Sequence, residues 1–171
     1  QGGGFIRLNE TANTPDLQLY FSPVSYTRAP VGVRPLLNPD PFPGFLMGFN
    51  PCKPTSVGHL QICSPDPLAK PEMHPNYLDT EYDLRMMVAG TKLMRRIAQT
   101  PAMQSIIANE LFPGADVTTD DQIADYVRQK SWTVFHQCST CRVGSDPTTS
   151  VVDERLRVHG VQNLRVADAS I

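Results

Sequence analysis

The residues with the clearest chemical potential lie in the last third of the chain, in the stretch Val134 to Asp153, VFHQCSTCRVGSDPTTSVVD. His136 is the one side chain there that can exchange a proton near neutral pH, as a general acid or base must. Small residues follow it, so backbone can approach a flat ligand closely. Trp132 and Phe135 precede it and could wall a pocket. By residue type alone, a histidine in such surroundings is more often a packed and hydrogen-bonded structural residue.

The same stretch offers a second chemistry. His136, Cys138 and Cys141 form H-x-C-x-x-C, three soft ligands of the kind that zinc binds. Closed structural zinc sites usually pair two C-x-x-C knuckles, and this sequence has no second pair. We therefore assign no metal ligands, and a small zinc-binding domain stays open as an alternative. Four cysteines are too few for a secreted disulfide scaffold, which favours free thiols and a cytoplasmic location.

The spacing of apolar residues changes along the chain and predicts the strands and helices that position His136. Alternating or β-rich runs in the first third predict strands, and helical spacing of apolar residues predicts helices after Tyr77, the first of them begun by a Thr80–Asp83 capping box. A third helix is predicted to begin at a Thr118–Asp121 cap. The order predicts an α+β fold, an antiparallel β-sheet covered by helices. The predicted strands are 4–9, 16–21, a pair at 45–49 and 57–63, and short ones at 151–152 and 164–167; the predicted helices are 84–98, 102–111 and 120–130, and 26–43 is a proline-rich loop.

Charge and hydropathy exclude two classes of partner. Fifteen basic and seventeen acidic side chains give a formal net charge of −2, and no basic cluster stands out. Nucleic-acid binding is not expected, because neutralising phosphates requires clustered Lys and Arg. No apolar run approaches the roughly twenty residues of a membrane span, and no signal peptide is apparent.

Two linked blocks carry a resemblance to a known family. HQCSTCRVGSDP, from His136, and VVDERLRVHGVQNLRVADASI, from Val151 to Ile171, resemble the carboxy-terminal signature of the glucose–methanol–choline (GMC) oxidoreductases. That signature reads roughly H-P-x-G-T-C-R-M-G, then V-V-D-x-x-L-R-V-x-G-V-x-x-L-R-V-x-D-A-S. Weaker likenesses upstream include SVGHL from Ser56 and PNYL from Pro75. The resemblance, which includes choline dehydrogenase-like and alcohol dehydrogenase-like members, spans almost the whole chain.

The resemblance implies an FAD-dependent enzyme that oxidises a small alcohol to an aldehyde or ketone. His136 would take the hydroxyl proton while hydride leaves the carbon for the flavin N5. By position, Phe135 would line the substrate pocket. Asp168 and Ala169 would lie against the pyrophosphate and ribityl part of FAD, and the turn at Gly160 would be structural.

The sequence departs from the family pattern at three loop positions and in its extent. Gln137, Ser139 and Val143 stand where the pattern has Pro, Gly and Met, and no GxGxxG follows a strand. We expect a fragment: residues 1–150 form the substrate-binding domain, and 151–171 return as a strand toward an absent FAD-binding domain. A second catalytic His or Asn would lie beyond Ile171. The expected fragment is inactive and holds no FAD, its final segment could pair with another copy as a homo-oligomer, and a non-catalytic binding module is the remaining alternative.

Overall fold

The computed structural model describes residues 2–27 and 37–171. The predicted loop at 26–43 lies partly outside these residues. The chain divides into two compact units, Gln1–Gly58 with Pro75–Lys130, and His59–His74 with Ser131–Ile171. No helix within the described ranges is long and apolar enough to cross a membrane.

The first unit contains a three-stranded antiparallel sheet. Its strands are β1 (Gly2–Ile6), β2 (Leu17–Ser22) and β3 (Leu46–Pro51), in the order β1-β2-β3. Leu17 begins β2 and is fully buried. The buried carboxylate of Asp16 accepts hydrogen bonds from the backbone N–H groups of Leu8 (2.6 Å) and Asn9 (2.9 Å), which fixes the connection between β1 and β2.

Two amphipathic helices, with the single turn α2 (Pro101–Gln104) between them, complete the first unit. Helix α1 (Glu81–Ala98) contacts β3 and the last helix, α3 (Asp120–Lys130). The helices bury one stripe each, at the spacing that the sequence predicts. Gly90 lies in the middle of α1 because the Phe49 ring of β3 occupies the space where a Cβ would stand. The buried apolar side chains of the two helices include Met86, Met94, Ile123 and Val127.

The start of α1 makes more hydrogen bonds than the predicted Thr80–Asp83 capping box provides. Thr80 is the N-cap, and its hydroxyl accepts from the N–H of Asp83 at 3.3 Å. The Asp83 carboxylate, only 2% exposed, turns outward from the helix instead of back to Thr80. It accepts from the N–H groups of Thr55 and Ser56, both at 2.8 Å. Burial acts to raise the pKa of Asp83, but these hydrogen bonds outweigh it and lower the pKa below its ordinary value.

The α+β prediction is confirmed, and several local predictions are wrong. Residues 57–63 do not pair with 45–49; β4 (His59–Gln61) pairs antiparallel with β5 (Glu72–His74). The helix predicted over 102–111 is the single turn α2 (Pro101–Gln104). The cap of α3 lies one residue later than predicted, since Thr119 and Gln122, not Thr118 and Asp121, exchange side-chain and backbone hydrogen bonds.

The second unit contains the β4–β5 hairpin and the long irregular segment Ser131–Ile171. The strands predicted at 151–152 and 164–167 are reduced to isolated bridges, Val143–Val152, Val152–Val158 and Arg157–Arg165. Left-handed backbone at Leu156, Gly160 and Asn163 turns the chain before a strand can extend. Val152, fully buried, joins two of the bridges.

Candidate active-site loop

His136 lies in an extended, irregular loop and is exposed to solvent. The hydroxyl of Thr133 organises the loop around it. This oxygen accepts from the backbone N–H of Phe135 at 2.9 Å and from the Gln137 side-chain amide at 2.7 Å. Gln137 stands where the GMC pattern has Pro, so a side-chain hydrogen bond here restrains a position that Pro restrains through its ring. Both neighbours of His136 are thereby tied to one hydroxyl.

Two residues of the loop adopt left-handed backbone. Phe135 has φ +60° and Ser139 has φ +68°. The left-handed region is costly for residues with a Cβ and free of that cost for glycine. Ser139 occupies the position at which the family pattern has Gly, and its φ gives the physical reason for that glycine. The Phe135 side chain is 82% exposed and that of Trp132 is 69% exposed, so both aromatic rings of this loop face solvent.

The two signature blocks meet directly. The N–H of Cys141 donates to the carbonyl of Ser170 at 2.8 Å, and the N–H of Val143 donates to the carbonyl of Ile171 at 2.9 Å. The segment that follows His136 therefore runs beside the last residues of the chain. The two signature blocks are therefore paired through their backbones, although they are separate in the sequence.

Asp168 and Ala169 lie on the exposed surface of this paired structure. Asp168 Oδ1 accepts from both the N–H of Ser170 (2.8 Å) and its hydroxyl (2.5 Å). These hydrogen bonds from Ser170, the side-chain one foremost, lower the pKa of Asp168. The carboxylate is thus ionised at neutral pH and oriented, and in the described part of the chain Oδ2 accepts no further hydrogen bond.

A residue that the sequence did not single out holds the turn between the two blocks. His159 Nε2 lies 3.0 Å from the Gly144 carbonyl and 3.1 Å from the Ser150 hydroxyl. Ser150 packs so closely on Gly144 that a Cβ at 144 would stand 2.9 Å from its Cβ. In the sequence, only a Gly and a Ser on either side of the turn hint at such an anchor. Their partner, His159, lies fifteen residues beyond Gly144.

A charged pair fixes the second block. Asp153 accepts from the Arg157 guanidinium at 2.6 Å and 2.7 Å, and from the N–H groups of Arg155 and Arg157. The side-chain hydrogen bond from Arg157, followed by the backbone ones, lowers the pKa of Asp153 to about 2. Beyond it, Gly160 has φ +74°, consistent with a structural turn.

The cysteines and histidines of the described residues form no cluster of three or more ligands. All four cysteines are free thiols, with Cys63 and Cys138 exposed and Cys52 and Cys141 half-buried. Over residues 2–27 and 37–171, no three His, Cys, Asp or Glu side chains gather closely enough to enclose an ion. His136, Cys138 and Cys141 are accordingly not gathered around one point.

What this loop can do chemically follows from its exposure and its neighbours. Within the described ranges the His136 imidazole makes no hydrogen bond, so both ring nitrogens are accessible to a ligand. An exposed base beside exposed aromatic rings suits proton transfer with an organic substrate. Asp168, ionised and oriented, can accept hydrogen bonds from hydroxyl groups.

Comparison with known proteins gives one consistent result. The family model described as GMC oxidoreductase matches residues 54–171. The oxygen-dependent choline dehydrogenase of Staphylococcus xylosus is 37% identical over 177 residues, which cover 100% of this chain and 30% of that protein. The alcohol dehydrogenase (acceptor) of Pseudomonas putida is 35% identical over 175 residues, with coverage of 100% and 30%. The chain thus spans about 30% of the length of these curated relatives.

Solved structures agree with the sequence relatives. Pyridoxine 4-oxidase from Mesorbium loti superposes with a TM-score of 0.81 at 27% identity, covering 99% of this chain and 32% of that chain. Formate oxidase from Aspergillus oryzae RIB40 superposes with a TM-score of 0.78, and its 23% identity indicates a shared fold only. It covers 93% of this chain and 27% of that chain.

Proposed function

This chain belongs to the GMC oxidoreductase family, and on that basis we infer that it is the substrate-side part of an FAD-dependent enzyme that oxidises a small alcohol. In this proposal residues 1–150 supply the substrate-binding surface, and 151–171 return toward an FAD-binding domain. The observation that carries it is the backbone pairing of the two signature blocks, through Cys141 with Ser170 and Val143 with Ile171. That pairing places the segment after His136 beside the Asp168–Ala169 segment.

His136 is proposed as the acid/base. An alcohol is a poor hydride donor until its hydroxyl proton is being removed, so the reaction requires a base at the substrate oxygen. His136 is exposed, and its flanking residues are tied to the Thr133 hydroxyl. The imidazole can take the hydroxyl proton and later return it. Phe135, exposed beside it, is proposed to cover the apolar part of the substrate.

Asp168 and Ala169 are proposed to face FAD, and the Asp168 side chain suits its ribityl part better than its pyrophosphate. FAD, when bound, would supply the hydride acceptor. Asp168 is a carboxylate with a lowered pKa, and a carboxylate accepts hydrogen bonds from hydroxyl groups but repels phosphate. The side chain therefore suits the ribityl hydroxyls, and contact with the pyrophosphate falls to the backbone at Ala169. Tight binding of FAD is assigned to the remainder of the longer protein, and the chain alone is proposed to be inactive.

Three further assignments remain part of the proposal. The free thiols of Cys138 and Cys141 are compatible with the reducing conditions of a cytoplasmic location. The proposed partners are the alcohol substrate, FAD and the other half of the same protein, with self-association through the last residues as an option. A non-catalytic binding module is the rival function, and it would not require an exposed histidine in this loop.

The proposal is tested with the full-length product of the gene. The purified protein is expected to be yellow, with flavin absorbance that bleaches when a small alcohol is added without oxygen. Small primary alcohols, including choline, form the first panel, with the matching aldehydes as controls. A colourless protein, or a flavin that no alcohol in a broad panel reduces, would contradict the proposal and favour the binding module.

A further inference from the structure

The β4–β5 hairpin presents two histidines side by side, away from the proposed active-site loop in sequence. His59 and His74 are direct cross-strand partners in the register. Their ring centroids are 4.7 Å apart, and the ring planes are inclined by 21°. Residues opposite one another in an antiparallel pair share a face of the sheet, so both imidazoles project from the same side.

The hairpin separates its polar and apolar side chains by face. His59 pairs with His74 and Gln61 pairs with Glu72 on one face, while Leu60 pairs with Met73 on the other. All of them are exposed. Exposed imidazoles in close proximity are good ligands for divalent transition metals, and the remaining coordination positions can be filled by water.

Glu72 contacts the His74 ring in the way that carboxylates contact metal-binding histidines. Its Oε1 lies 2.8 Å from His74 Nε2. When Nε2 donates to this carboxylate, Nδ1 is the ring nitrogen left to bind a metal ion. A carboxylate that accepts from the distal nitrogen of a ligating histidine orients the ring and raises its basicity. The Cys63 thiol, 3.5 Å from the other oxygen of Glu72, holds that carboxylate in turn.

We propose that His59 and His74 form a two-histidine chelate for a divalent transition-metal ion, with Glu72 as the positioning residue of His74. Metal–nitrogen bonds are about 2.0–2.1 Å long, so the two rings must reorient to place a nitrogen of each on one ion. The exposed Glu72 side chain must follow His74 Nε2 as that ring turns. The ion would cross-link two strands of three residues each, a hairpin too short to be stable by its own hydrogen bonds. The site does not depend on the proposed oxidoreductase function.

Calorimetric titration of the full, untagged chain with Ni²⁺ tests the site, because Ni²⁺ prefers imidazole and does not oxidise thiols. One saturable site is expected. His59→Gln and His74→Gln should each abolish the chelate. Glu72→Gln should weaken binding by about 10–100-fold, as loss of such a partner typically does. Since these side chains are exposed, circular dichroism of each variant should match that of the parent chain.

The matched control is His136→Ala, which removes the rival H-x-C-x-x-C ligand set. Its Ni²⁺ affinity should equal that of the parent chain. Absence of a saturable site would overturn the proposal. So would a site that survives His59→Gln but is lost with His136→Ala. A Glu72→Gln variant that binds like the parent would refute the role given to Glu72.

Discussion

Replacing Asp83 should destabilise the first unit more than replacing an exposed acidic residue, because its buried carboxylate accepts hydrogen bonds from two backbone N–H groups of the segment before α1. Asp83 is 2% exposed, and its carboxylate accepts hydrogen bonds from the backbone N–H groups of Thr55 and Ser56 and from the Thr55 hydroxyl. Leaving a buried donor without a partner costs about 1–3 kcal/mol, and the lower half of that range applies here because the two N–H groups are part-buried. Asp83→Asn keeps one acceptor oxygen and should cost about that much. Asp83→Ala leaves both N–H groups unpaired and should cost roughly twice as much, a large share of a typical 5–15 kcal/mol stability.

Urea denaturation followed by circular dichroism measures these differences. Asp79→Asn is the matched control, since Asp79 is exposed and lies just before the same helix. Its effect should stay within about 0.5 kcal/mol. Equal effects of Asp83→Asn and Asp79→Asn would refute the assignment of the stabilisation to the buried hydrogen bonds.

The acid side of the stability profile gives a second measurement on Asp83. The pKa is lowered in the folded chain, so the contribution of the carboxylate is fully present above its unfolded value of about 3.9. It is lost as the pH falls through the lower folded value. Asp83→Asn should therefore lose less stability than the parent chain on acidification. Parallel profiles for the two proteins would contradict this linkage.

Three further predictions concern packing and backbone. Gly90→Ala should be net destabilising in urea, because overpacking against Phe49 costs about 1–3 kcal/mol and exceeds the gain of about 1 kcal/mol in helix propensity; adding Phe49→Leu should recover the loss, and no recovery would refute the contact. Ser139→Gly should raise the free energy of unfolding by up to about 1 kcal/mol by relieving φ +68°, and a loss would contradict it. Ser170→Ala should raise the pKa of Asp168 in an NMR carboxyl titration, and an unchanged value would contradict the assigned cause.

Helix α1 and its start could be predicted because the determinants are local. Apolar spacing and the Thr80 cap lie within one segment, and both recur in the structure. The second half of the predicted helix over 102–111 is replaced by a loop whose far end is held by non-local contacts. Arg95 binds the Glu110 carboxylate and the carbonyls of Gly114 and Val117, which hold 110–117 as a loop on α1. A propensity pattern contains no information about that ion pair.

The candidate site shows the same division between local and distant determinants. His136, Phe135 and Asp168 could be named from two sequence blocks, and their assigned roles remain predictions. The contact between the blocks, and the anchoring of the turn by His159 on Gly144, join residues far apart in the sequence. The pairing of β4 with β5 was missed for a similar reason, because the nearer run at 45–49 offered an equally plausible partner.

The central claim is that His136 removes the proton of an alcohol. The most direct measurement is the rate of anaerobic flavin reduction by a saturating alcohol, in the full-length protein with His136→Ala and with His74→Gln as the control. The account predicts that His136→Ala retains its flavin but is reduced about 10²–10⁴-fold more slowly, while His74→Gln reacts like the parent. A flavin-loaded His136→Ala protein that is reduced at the parental rate would contradict it.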